Sequence, residues 1–164
     1  MTDALKLKTK ILKILKIIPN EEFKSKNNDV KFALKITPFE QIKNFIVVIE
    51  YFHKVDMIRV VASIGIGKNL RDNYQLKKEN EKNEIMAIFS KPMRARNFNA
   101  IIAKDFAALE GFKLLFQQDM SAQRLFDTVN EAIFLLQDLG ELFYKADQSL
   151  KVPEVSQTSQ SMFQ

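Results

Sequence analysis

Few residues of this 164-residue chain have the types and spacing that chemistry needs. Its single histidine, His53, lies in the run His53-Lys54-Val55-Asp56. An imidazole near a carboxylate can serve as a general base at neutral pH. Without a nucleophile or second base close in sequence, this one reads as an incidental turn residue. The acidic pair Glu21-Glu22 lies in a polar segment where carboxylates stay solvated. Cysteine is absent, which excludes disulfides, thiolate catalysis and zinc ribbons or fingers. Ala62-Ser63-Ile64-Gly65-Ile66-Gly67-Lys68 has the spacing of a phosphate-binding loop that begins with Ala in place of Gly. Asn69 follows where Ser or Thr would hold magnesium, and no later strand ends in a matching Asp, so the stretch reads as the end of a strand. Arg94 and Arg96, in a short basic connector, have the chemistry to meet a phosphate or an acidic partner, although isolated loop charges are ordinarily solvated. The residues therefore predict no catalytic group, no cofactor and no metal site.

The net charge of +5 is concentrated at one end. Residues 1–35 hold nine Lys and four acidic residues, and the remainder is balanced. Within residues 3–18, Leu7, Ile11, Ile14, Leu15 and Ile18 recur at three- and four-residue spacing, with Lys6, Lys10, Lys13 and Lys16 opposite. That is an amphipathic helix expected to pack on a sheet with its lysines in water. Lysines interrupt the apolar run too often for a signal peptide. Contact of the lysine face with nucleic acid or an anionic membrane is the alternative reading. No stretch approaches the length of a membrane span, and a cytoplasmic protein is expected.

The elements that must position these groups centre on residues 45–66. Phe45, Val47, Ile49 and Tyr51 fall on one face of a strand, and Ile46, Val48 and Phe52 on the other. After the turn, Ile58, Val60, Ala62, Ile64 and Ile66 line one face of a return strand. Two apolar faces predict a central hairpin with something packed on each side. Residues 20–29 read as a polar loop, and Val30 to Thr37 as a strand with one wet face. Residues 69–91 predict one helix ending near Pro92, with a mobile loop as the alternative for its middle; residues 111–120 read as a strand, and residues 98–106 as its hairpin partner turning at 107–110 or, by the spacing of Ile101, Ile102, Phe106 and Leu109, as a helix. Ser121 caps a long last helix with a stripe through Leu125, Phe126, Val129, Ala132, Ile133, Leu136 and Phe143. Phe134, Leu135 and Leu142 fall off that stripe, which predicts a second apolar face available to a dimer partner or another protein. Residues 1–147 are expected to form one domain. Residues 148–164, rich in Ser and Gln, are expected to be a disordered tail with Met162-Phe163 as a candidate docking motif.

The resulting order, α-β-β-β-α-β-β-α, gives an α+β class with an antiparallel sheet of about five strands and three helices. It resembles the type III secretion chaperone-like fold, and is similar to an uncharacterised archaeal family in which a polar middle helix precedes a hairpin and a long apolar last helix. The resemblance spans about residues 3–147 and is one of topology. It implies a non-enzymatic homodimer that binds another protein or peptide.

Overall fold

A computed structural model describes residues 3–16, 18–103, 106–116, 118 and 121–150. The chain runs α1 (Asp3–Ile14), β1 (Asn20–Phe23), β2 (Val30–Ile36), β3 (Phe45–Phe52), β4 (Met57–Gly65), α2 (Lys68–Gln75), α3 (Glu79–Ala95), β5 (Asn99–Ile102), β6 (Ala108–Phe116) and α4 (Ala122–Leu150). The class is α+β, with one antiparallel sheet in the order β1-β2-β3-β4-β6-β5. It has six strands and four helices where the sequence predicts five and three.

Each difference has a local cause. The expected loop at 20–29 begins with β1, because Asn20–Phe23 pairs along the free edge of β2. A break at Leu76-Lys77-Lys78 divides the expected middle helix. The Lys78 amide donates to Glu81 Oε2 at 3.0 Å in a capping box that starts α3. Pro92 lies inside α3, not at its end. Its missing amide withdraws one hydrogen bond in the last turns. Burial of Phe89 and Met93 holds the helix past it. The second hairpin forms, but its turn falls earlier, where the Ala103 amide donates to the Ala108 carbonyl at 3.0 Å. Ser121 caps α4 as expected, its Oγ accepting from the Arg124 amide at 3.0 Å. Residues 148–150 belong to α4, and the rest of the expected tail, with Met162-Phe163, lies outside the described residues.

Register fixes the faces. Phe45, Val47, Ile49 and Tyr51 of β3 stand opposite Ile64, Ala62, Val60 and Ile58 of β4, and all eight are buried. The described helices lie over this face. α4 crosses β4, β3 and β6, with Gly140 set against the Phe45 ring; a Cβ there would stand 2.8 Å from Phe45 Cε2. Gly111 of β6 likewise lies under Leu135 of α4 and Met93 of α3. α1 flanks α4 on the β1 side, sending Leu7, Ile11 and Leu15 into the core and Lys8 to Glu22 of β1. α3 flanks it on the β5 side. The fully buried core of Ile11, Leu15, Leu34, Ile36, Ile49, Ile58, Ile64, Leu125 and Leu136 occupies this layer. The cover expected on the other face is not supplied by any described helix.

Candidate functional site

The groups singled out by type are largely absorbed into structure. His53 Nδ1 lies 3.1 Å from the Asp29 carbonyl. A carbonyl only accepts, so Nδ1 carries the proton in this contact. Lys54 Nζ lies 2.5 Å from Asp29 Oδ1, and its ammonium, by hydrogen bond and charge, holds the Asp29 carboxyl below the usual aspartate range. The Tyr51 hydroxyl donates to Asp56 at 2.8 Å. Glu21 and Glu22 pair with Lys35 and Lys8. The glycine-lysine run ends β4, where Asn44 Nδ2 donates to the Gly65 carbonyl at 2.7 Å, and Gly67 leads into α2. Among the described residues, no group of three or more His, Asp or Glu is placed to hold a metal ion.

The basic residues do not form one surface. Lys6, Lys10 and Lys13 of α1, and Lys16 in the turn after it, are exposed. Arg94 and Arg96 lie beyond α4, on the β5 side. Arg94 is exposed, whereas Arg96 Nε donates to Asp138 at 2.8 Å and its guanidinium lies 5.8 Å from the centre of the Phe134 ring.

The expected partner face on α4 is corrected in part. Leu135 is fully buried over Gly111, and Leu142 is half-buried against the core. α4 is flanked by α1 and α3 as well as seated on the sheet, so its buried arc is wider than one stripe. Only Phe134 of the three is exposed, at 52%, and Arg96 stands beside it.

Two other features remain. The first is the open face of the sheet. Across β3 and β4 it presents Ile46, Val48, Phe52 and Met57 around a buried Val61, and on β6 Phe112, Leu114 and Phe116. Leu114 is 40% and Phe116 48% exposed; Ile46, Val48, Phe52, Met57 and Phe112 are half-buried. Polar groups on this face are paired internally. Arg59 Nε donates to Glu50 Oε2 at 2.8 Å, Ser25 Oγ donates to Glu50 Oε1 at 3.1 Å, and Ser63 Oγ donates to Glu110 at 3.3 Å. The Arg59 guanidinium also stands 5.3 Å from the Phe52 ring centre. The face is thus apolar, with its central charges neutralised.

The second is a cavity of about 440 Å³ between α2, α3 and the last turns of α4, walled mainly by Leu70, Tyr74, Ile85, Phe89, Phe106 and Leu142. Tyr74 stacks on Phe106 with ring centres 4.2 Å apart. Burial, helped by the charge of Glu79, pushes the Tyr74 phenol above its ordinary pKa. Sequence reasoning missed this cavity because its walls come from residues some seventy positions apart; the exposed Leu76 and Ile88 were its nearest local signals.

No protein-family model matches the chain, and no curated protein matches it either. A solved structure does: an uncharacterised protein from Methanothermobacter thermautotrophicus superposes with a TM-score of 0.67 at 10% identity, over 87% of this chain and 98% of that one. At that identity the likeness is one of fold alone. No described helix is long and apolar enough to cross a membrane.

Proposed function

We propose that the protein is a non-enzymatic protein-interaction module that acts as a homodimer, two copies meeting through the open faces of their sheets. One observation carries this reading: Ile46, Val48, Phe52, Met57, Val61, Phe112, Leu114 and Phe116 are contiguous on a face that no described helix covers. An apolar patch of that extent marks an interaction site in soluble proteins. Its shape favours a second copy over a peptide. Extended peptides add to a sheet edge, whereas a broad sheet face is matched by another sheet at roughly 10 Å. Three strands at about 4.8 Å spacing and eight residues at about 3.3 Å give roughly 380 Å² per copy, or about 760 Å² for the pair, the small size of a weak, concentration-dependent dimer. The internal pairing of Glu50 with Arg59 spares those two central charges separate desolvation on docking, and Glu110 nearer the β5 side keeps the Ser63 hydroxyl as its partner. The exposed lysines of α1 and the pair Arg94 and Arg96 stand on different sides of α4, so the sheet is preferred as the site.

Light scattering with size-exclusion chromatography at about 50 µM tests the proposal, since an interface of this size holds in the micromolar range. The expected result is a dimer that Leu114→Glu converts to a folded monomer, while Phe134→Glu on the helix layer leaves it intact. A monomeric wild-type protein, or a dimer lost with Phe134→Glu and kept with Leu114→Glu, overturns it.

A further inference from the structure

The cavity between α2, α3 and the end of α4 has features that core packing does not require. Its volume of about 440 Å³ falls within the roughly 300–1,000 Å³ of small-molecule sites. Its wall is rigid on one side, where Tyr74 stacks on Phe106 and Phe89 stacks on Phe143 with ring centres 4.5 Å apart. Phe106 reaches that stack from a left-handed backbone, φ 56°, a conformation unfavourable for an aromatic residue. One side of the mouth is apolar, where Ile88 borders it at 54% exposure.

Lys77 and Lys145 also border it. Lys77 is held only loosely, 3.5 Å from Glu81, and Lys145 is exposed. Lys82 lies 5.6 Å from the Tyr74 ring centre, and the charge of Glu79 acts on Tyr74. The charged side chains that line the cavity, Lys77 and Lys145, are both cationic and leave its mouth positive. A deep apolar wall with a cationic mouth is complementary to a ligand with a hydrocarbon body and one anionic head.

We infer that this cavity binds an aliphatic monocarboxylate of medium chain length, its chain along Leu70, Ile85, Phe89 and Leu142 and its carboxylate between Lys77 and Lys145. The inference does not depend on the dimer, because the cavity lies in the helix layer, on the opposite side from the open face. Ring stacking keeps the wall in place without a ligand, so binding requires little reorganisation.

Calorimetric titration of the full chain with octanoate, nonanoate and decanoate provides the test. One-to-one binding is expected, tightening by about fourfold for each added methylene, the factor that burying a methylene supplies. Decanoate is expected to bind about tenfold more tightly than 1-decanol, the margin that two partly screened ion pairs give. Lys77→Met with Lys145→Met should erase that margin and leave the chain-length series. Ile88→Trp, at an exposed position where folding is unaffected, should obstruct the mouth and weaken decanoate at least tenfold. The inference is overturned by absence of saturable binding up to about 1 mM decanoate, or by binding that ignores Ile88→Trp. Binding lost with Leu114→Glu also overturns it, since the chain would then lie on the sheet.

Discussion

The two faces of the central sheet are built from similar residues and have different fates. On β3, Ile49 and Val47 are wholly buried under α4, whereas Ile46 and Val48, one residue away, are only half-buried on the face without a helix. The strand alternation is equally apolar on both sides. What differs is the helix layer, and with it the kind of polar group each face tolerates. Lys113, on the covered face at the β6 margin, is neutralised by Glu131 from α4. Glu50 and Arg59, on the open face, have to neutralise each other within the sheet. Residue hydrophobicity thus predicts that a face must be covered, while element placement decides whether the chain itself provides the cover.

The largest expected effect separates the faces by one chemical change on one strand. Ile49→Ala should cost about 2–5 kcal/mol, as for a fully buried aliphatic residue. Ile46→Ala should cost about 1 kcal/mol or less in the monomer, because its side chain already meets water. Urea unfolding at about 1 µM, dilute enough to keep association out of the stability, measures both. Equal losses would break the comparison and show that the open face is covered within one chain.

A smaller effect probes the charges. Arg59→Met leaves Glu50, whose side chain is 8% exposed, without its guanidinium. The expected loss is about 2–3 kcal/mol, under the roughly 3–5 of a fully buried pair because Arg59 keeps a third of its surface in water. Arg59→Met combined with Glu50→Gln should recover most of it, and a double-mutant cycle in urea isolates the coupling. If the double variant is no better than the single one, the carboxylate was not the burden.

Much of this arrangement was legible in the residues. The alternation of Val30–Ile36 and of residues 45–66 fixed three strands and their faces, and the stripe through Leu125, Val129, Ala132 and Leu136 fixed the seated side of α4. What escaped was non-local. Asn20–Phe23 carries two glutamates and becomes a strand only because β2 offers a free edge. Leu135 looked surplus because one helix can bury one stripe on a sheet; it is buried because α4 has helices on both flanks. The open face escaped for the same reason. Alternation reports that a side chain is apolar and says nothing about where a helix seventy residues later will lie. The candidate sites depend on such placements, so less of them could be read than of the fold.

The smallest effect lies at the rim of the open face, where polar contacts hold what helices hold on the other side. The loop from β1 to β2 is tied down by Ser25 to Glu50, His53 to the Asp29 carbonyl, and Lys54 to the Asp29 carboxylate. Asp29 has a pKa lowered from 3.8 by Lys54, so folding favours its ionised form. That contribution is complete above the unfolded value and is lost as pH falls through the lower folded one. Acidification below about pH 4 should therefore loosen the loop first, since apolar burial in the helix layer does not titrate. Amide exchange, corrected for its intrinsic pH dependence, should rise in residues 25–31 between pH 6 and pH 3 while β3 and β4 stay protected. Asp29→Asn should show the looser loop already at pH 6 and little further change. If β3 and β4 open at the same pH as the loop, the rim is no weaker than the core, and the division between a face held by burial and a face held by charge fails.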